Sequence, residues 1–158
     1  MRRGVADVYR RAQVSQAAND RYLDALASVD TSTSLGELIR DICRPAAYQG
    51  TRVRALRPWS ESDLALFRAV SRGEFCINGL RNRDLQSLLF DPAPTTTQEK
   101  RRRSARVSRL LRMLRAHHLI QKVPRTHRYV VTSAGRNIIS AVLGAHAITL
   151  QQLNKLAA

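Results

Sequence analysis

EKRRRSARVSRLLRMLRAHHLIQKVPRTHR, residues Glu99 to Arg128, is the most strongly patterned stretch of this 158-residue chain. It contains eleven of the 27 lysines and arginines and a single acid, so it carries ten of the fifteen net positive charges. A charge so concentrated, in a chain with a pI near 11.4, indicates a polyanionic partner. Nucleic acid is the first candidate and an anionic membrane surface the second. A merely solvated basic surface, reflecting a general arginine bias, is the third interpretation.

The first two thirds of this stretch predict a long amphipathic helix. Thr96 and Glu99 have the T-x-x-E spacing of a capping box, and the helix is expected to continue to about His118. Arg103 projects over the apolar side, so it is expected to contact backbone rather than to read bases. The apolar residues fall within about 100° of arc: Val107, Leu110, Leu111 and Leu114. The opposite face has arginines separated by small residues, with Arg106 at its edge: Arg101, Arg102, Ala105, Ser108, Arg109, Arg112 and Ala116.

The last third predicts a β-hairpin with a basic tip. Ile120 to Val123 and Arg128 to Thr132 have the composition of short strands, and residues 124–127 join them. The tip and its flank present four candidate contacts for an anion: Lys122, Arg125, His127 and Arg128.

A cationic helix followed by a cationic hairpin suits duplex DNA. Small residues let a helix backbone approach DNA closely, while arginine forks reach guanine edges or phosphates. The hairpin is expected to lie along the backbone or to enter the adjacent minor groove. The sequence therefore predicts non-enzymatic binding of double-stranded DNA through these residues: Arg101, Arg102, Arg106, Ser108, Arg109, Arg112, Lys122, Arg125, His127 and Arg128.

Upstream of this stretch we expect two regions before the DNA-binding domain. Residues 1–45 read as a helical arm, with one helix over residues 4–29 and a short one, capped by Ser34, over Leu35 to Cys43. Residues 46–59 read as an extended connector.

The third region, residues 60–158, is expected to form the DNA-binding domain. Ser60 caps a helix that ends near Gly73, and Phe75 to Ile77 read as a strand. Asn82 is expected to cap a helix over residues 82–90. Thr132 is expected to cap a final helix over about Ser133 to Leu156. The predicted fold class is mainly α with a small β-hairpin.

These elements resemble winged-helix DNA-binding proteins of the bacterial MarR and ArsR types. The resemblance rests on Val107-Ser108-Arg109-Leu110-Leu111, on His118-Leu119-Ile120, and on Thr132 followed by Gly135-Arg136. It implies a winged helix-turn-helix in which residues 120–132 form the wing, and a role in transcriptional regulation. The chain departs from the pattern in two places. The proline-bearing segment before the long amphipathic helix is longer than usual, and the Arg101-Arg102-Arg103 run is dense.

A second resemblance covers GEFCINGLRNRDLQSLLF, residues 73–90. This segment is similar to the C-terminal part of a larger, little-characterised set of bacterial proteins, in which a G-F/L-R-N-R-D-L segment precedes the same helix and wing. The chain is therefore expected to be a fragment or a short form, and this second resemblance implies no activity. The DNA-binding residues themselves are expected to serve a transcriptional regulator or the DNA-binding part of a larger mobile-element or chromosome-associated protein.

Other chemistry has little support in the sequence. Cys43 and Cys76 stand far apart, and no C-x₂-C or H-x₃-H spacing suggests a metal site. The few acids form no convergent cluster of the kind that a nuclease needs, and the dispersed glycines form no phosphate-binding loop. We therefore expect no enzymatic activity, no cofactor and no metal.

Partners and location follow from the same observations. The partner is expected to be duplex DNA, with no membrane association, in a bacterial cytoplasm and on the nucleoid. Homodimerisation through the N-terminal and C-terminal helices is one possibility, and packing of these helices against each other is the other. The alternative function is that of an RNA-binding or protein-interaction module that docks an acidic partner.

Overall fold

The computed structural model describes residues 33–148. Within them the chain is mainly helical, with two small antiparallel hairpins. The predicted helix over residues 4–29 lies outside this range. Helices α1 to α6 span Leu35–Ile39, Glu61–Val70, Gly73–Asn78, Asn82–Leu89, Thr97–Ala116 and Ser133–Ala147. Strands β1 to β4 span Ala46–Tyr48, Thr51–Val53, Ile120–Lys122 and Tyr129–Val131.

Helix α5 is the element around which the others pack, with α4, β1 and β3 against it. Its apolar stripe enters a core of aliphatic side chains and two phenylalanines, and α2 and α6 supply much of the rest. The fully buried members include Leu66, Phe67, Leu80, Leu85, Val107, Leu114, Leu119 and Val142. The expected helix-rich fold with a small hairpin is thus present.

Helix α2 begins as predicted. The Ser60 side chain accepts a hydrogen bond from the amide of Asp63, and the first turn carries Glu61 and Asp63, which complement the helix dipole. The helix ends at Val70, slightly before the predicted Gly73. Helix α1, capped by Ser34, likewise ends at Ile39 and not at Cys43.

The segment expected to be an extended connector contains a β-hairpin. β1 and β2 pair in register from Ala46 opposite Val53 to Tyr48 opposite Thr51. Gln49 and Gly50 both have positive φ, 49° and 73°, as a tight two-residue hairpin turn requires. Asn-Gly and Asp-Gly are the clearest sequence signals of such turns. Because the first turn residue here is glutamine, the sequence did not predict this hairpin.

The predicted strand at Phe75 to Ile77 is wrong, because these residues lie in α3. Gly79 ends this helix at φ 64°, and its amide donates to the Phe75 carbonyl. The extended residue is Leu80 instead, which exchanges two backbone hydrogen bonds of 2.8 and 2.9 Å with Tyr129. Three apolar residues are too few for periodicity to separate a strand from a helix.

The cap of α4 also differs from the prediction. Arg81 occupies the N-cap position, and its amide donates to the Asp84 carboxylate at 2.8 Å. Asn82 is instead the first residue of the helix, which leaves its side chain available for α5.

The second hairpin and the start of α6 agree with the sequence to within a residue. β3 and β4 pair from Ile120 opposite Val131 to Lys122 opposite Tyr129. The Thr132 hydroxyl accepts from the amide of Gly135 at 2.9 Å and donates to the His118 carbonyl at 2.8 Å. It therefore ties the start of α6 to the end of α5. Helix α6 ends at Ala147, before the predicted end, and Leu150, Leu153 and Leu156 lie outside the described residues.

No helix within residues 33–148 combines the length and the apolar character that crossing a bilayer requires.

Candidate nucleic-acid interface

Helix α5 starts with half of the predicted capping box. The Thr96 hydroxyl accepts from the amide of Glu99 at 3.1 Å. The Glu99 carboxylate does not return to Thr96, because it accepts from the amide of Thr95 and pairs with Arg103 one turn along the helix. The hydrogen bond from Arg103, followed by that from Thr95, lowers the pKa of Glu99. The single acid of the basic stretch is therefore committed to the helix start.

Arg103 lies over the apolar side of α5, as predicted, and its side chain binds the protein's own backbone. Its guanidinium donates to the carbonyls of Phe90 and Pro92, at 3.1 and 2.6 Å, in addition to its contact with Glu99. Its side chain is only 15 % exposed. Arg103 thus fixes the loop between α4 and α5 and is not available to a ligand.

Five other arginines of α5 are exposed over about three turns of the helix: Arg101, Arg102, Arg106, Arg109 and Arg112. No carboxylate within residues 33–148 forms an ion pair with any of them. Ala105 and Ser108 lie exposed between them, so the face is broad and has few bulky apolar side chains. We call this set the arginine face, and it consists of Arg101, Arg102, Ala105, Arg106, Ser108, Arg109 and Arg112.

The predicted outer face of α5 is wrong at its C-terminal end. Ala116, which was predicted on the outer face of the helix, is buried, and so is Met113. The unpredicted β1–β2 hairpin explains this, because β1 packs on α5 and the backbone carbonyl of Arg54 lies 3.0 Å from the His117 ring nitrogen. The open part of the helix is therefore its N-terminal part.

Two polar contacts position α4 against this face. The Asn82 amide group donates to the Ser104 carbonyl at 3.0 Å and to the Ser108 hydroxyl at 2.9 Å. The start of α4 is thereby tied to the middle of α5, and Ser108 is partly engaged by the fold.

The second hairpin brings three of its four predicted contacts to the surface. Lys122, Arg125 and His127 are exposed. Thr126 holds the tip, since its hydroxyl donates to the Val123 carbonyl and accepts from the Arg128 amide. The Arg128 side chain turns inward and donates to the Asn78 carbonyl at 2.6 Å, so part of its hydrogen-bonding capacity serves the fold.

Arg115 links the two hairpins. Its guanidinium lies 4.8 Å from the ring centroid of Tyr48 in β1 and 6.0 Å from that of Tyr129 in β4. A cation placed between two aromatic rings gains from both. The two hairpins therefore flank the last turn of α5 and approach each other across one side chain.

A groove of about 610 Å³ lies between the β1–β2 hairpin, α2 and α5. Arg52 and Arg54 line one side, and Arg106, Arg109 and Arg112 line the other. Sequence reasoning missed the first pair, although the alternation T-R-V-R in residues 51–54 places both arginines on one side of a strand.

Asp63 lies at the base of this groove and is 1 % exposed. Arg54 binds it with two hydrogen bonds of 2.6 and 2.8 Å, and the Arg57 amide adds a third of 2.8 Å. Burial by itself raises the pKa of Asp63, but the hydrogen bonds and positive charges of Arg54 and Arg57 outweigh it and lower the pKa overall. Asp63 therefore stays ionised and fixes the hairpin to α2.

Residues 33–148 contain no group of three His, Cys, Asp or Glu side chains that could hold a metal ion. The chain matches no protein-family model, no curated protein and no solved structure.

Proposed function

We propose that this protein binds double-stranded DNA without catalysing a reaction, as a winged helix-turn-helix module. In this proposal α5 enters the major groove by its arginine face, and the β3–β4 hairpin is the wing. The observation that carries the proposal is the arginine face itself, which is exposed over about three turns and is not neutralised by any described carboxylate.

The order of elements supports the winged-helix part of the proposal. Helix α2 and the short α3 are followed by the one-residue bridge at Leu80, by α4 and α5, and then by the β3–β4 hairpin and α6. Leu80 lies beside Tyr129, so it occupies the place of a third, very short strand of the wing sheet.

The residues that carry the family resemblance also have roles that such a fold needs. His118, where the related pattern has glycine, has a φ of 57°. Thr132 caps α6, and an added Cβ at Gly135 would collide with the backbone of Leu119. The motif thus closes the turn between α5 and β3 and seats the next helix on it.

The location of Arg101 and Arg102 near the N-terminus of α5 favours insertion into a groove. Recognition helices contact base edges mainly with their N-terminal residues. Arg101, Arg102 and Arg109 have no described intramolecular partner and can form bidentate contacts with guanine or with phosphates. Ala105 adds no bulk between them.

The test is the salt dependence of duplex binding by the full chain. With about six phosphate contacts, log K is expected to fall with log salt at a slope near −5. In the double variant Arg109→Ala/Arg112→Ala we expect the slope to become less steep by about 2 and the affinity to fall by about tenfold or more. The matched control is Arg40→Ala/Arg68→Ala, which removes the same charge from exposed positions on other elements.

An equal effect of the two double variants would contradict the proposal, because only total charge would then matter. Stronger competition by duplex RNA or by an acidic polypeptide than by duplex DNA would favour the alternative module. Selection from a random duplex pool would identify the preferred site, and a palindromic site would indicate a dimer.

A further inference from the structure

The β1–β2 hairpin and the segment after it form a second basic surface, apart from α5 and the wing. Arg52, Arg54 and Arg57 are exposed within six residues of chain. Arg54 is committed to Asp63, but Arg52 has no described partner. Nothing in the local fold requires an arginine at position 52.

This surface is held firmly beside the arginine face. Val53 and Leu56 are buried in the core, and the Leu56 amide donates to the Ile42 carbonyl at 2.8 Å. Tyr48 lies against Arg115, and the Arg54 carbonyl contacts His117. These contacts join the hairpin to the last turns of α5, so its arginines stand where the open part of the arginine face ends.

The groove between them has an excess of positive charge. Five arginines and one acid line it, and both oxygens of Asp63 are already occupied by Arg54 and the Arg57 amide. Arg52 thus faces Arg109 and Arg112 across the groove without a compensating anion among the described residues. Charge-assisted hydrogen bonds from guanidinium groups favour a phosphate at such a place.

We propose that the β1–β2 hairpin is a second DNA-contacting arm, in which Arg52 binds a backbone phosphate together with Arg109 or Arg112. This inference rests on the proposed function. In this proposal, a duplex that lies on the arginine face also passes the end of that face, where the hairpin packs on α5. The wing and this arm then grip the duplex on the two sides of α5.

The arm predicts a phosphate contact that can be removed without disturbing the fold. In Arg52→Ala we expect the salt slope of duplex binding to become less steep by about 1, and the affinity at low salt to fall by about threefold to tenfold. Arg52→Lys is expected to recover most of the slope, because it keeps the charge. Arg68→Ala, which removes an exposed arginine of α2 that does not line the groove, is expected to leave the slope nearly unchanged.

Phosphate ethylation interference locates the contact. In the wild-type protein we expect interfering phosphates on both flanks of the recognised segment, and in Arg52→Ala we expect one flank to lose them. If Arg52→Ala has the same salt slope and the same interference pattern as Arg68→Ala, the proposal that the hairpin contacts DNA is contradicted, whereas the proposed function still stands. If the wild-type chain shows no salt-dependent duplex binding, both proposals fail. Weakened binding of an acidic polypeptide, with unchanged duplex binding, would also overturn the arm.

Discussion

Replacement of Gly135 by alanine is expected to destabilise the protein by about 3 kcal/mol, which lowers Tm by about 10 °C in a domain of this size. A Cβ at this position would lie within 2.8 Å of the carbonyl carbon and Cα of Leu119, and closer still to its oxygen. The obstacle is backbone, which cannot rotate away as a side chain can. Either α6 must move from the turn between α5 and β3, or the hydrogen bond from the Gly135 amide to Thr132 must break.

Gly144→Ala is the matched control for this experiment. Gly144 lies in the same helix, but nothing stands within 4 Å of an added Cβ there. Alanine has a higher helix propensity than glycine by about 1 kcal/mol, so this variant is expected to melt at the same temperature as the wild type or higher. Thermal unfolding followed by circular dichroism compares the two. Equal Tm values for both variants would show that α6 does not pack on Leu119 as described.

Asp63→Asn is expected to lower the free energy of unfolding by about 2 kcal/mol at neutral pH. The substitution keeps the shape of the side chain but removes the charge that accepts two hydrogen bonds from Arg54 and one from the Arg57 amide. Loss of one partner from a buried ion pair costs about 3–5 kcal/mol. The Arg54 side chain is 47 % exposed and can be solvated by water, which reduces the loss.

The same carboxylate gives a pH dependence with a definite sign. The pKa of Asp63 is lower in the folded protein than its ordinary value, so its stabilisation is fully present above the unfolded pKa of about 3.9. It is lost as the pH falls from there through the folded pKa. We therefore expect wild type and Asp63→Asn to differ at pH 7 and to converge as the pH falls below about 4.

Urea unfolding at a series of pH values measures this difference. Glu99 also has a lowered pKa, but it is present in both proteins and cancels in the comparison. Glu61→Gln is the control, since it removes an exposed acid from the same helical turn. A constant difference between wild type and Asp63→Asn down to pH 3 would rule out the role given to the carboxylate.

The parts of the fold that the sequence predicted well are those in which local chemistry is sufficient. Helix α5 has a cap at Thr96 and an apolar stripe over several turns, and the β3–β4 hairpin has two short segments of strand-like composition around a proline-bearing turn. The position of Arg103 over the apolar side also followed from its angle on the helix, and its side chain is only 15 % exposed.

The parts that were missed depend on contacts between distant segments. Met113 and Ala116 are buried at the end of α5 against which β1 packs, and the turn of that hairpin was hidden by glutamine at position 49. Asparagine is common at helix N-caps, but here Arg81 holds the N-cap position with its amide bound to Asp84, and Asn82 binds α5. The arginine face could be predicted from the sequence residue by residue. The groove beside it could not, because it depends on where residues 51–54 pack against α5.

The separation of α5 into a buried stripe and an open face has a consequence for how such a protein can change. The side chains of Arg102, Ala105 and Arg109 form no hydrogen bond or ion pair with a described part of the protein. Val107, Leu111 and Leu114 are buried in the core. Substitutions at positions 102, 105 and 109 are therefore expected to change the free energy of unfolding very little. Under the proposed function, target preference is therefore expected to change at these positions while the scaffold stays constant.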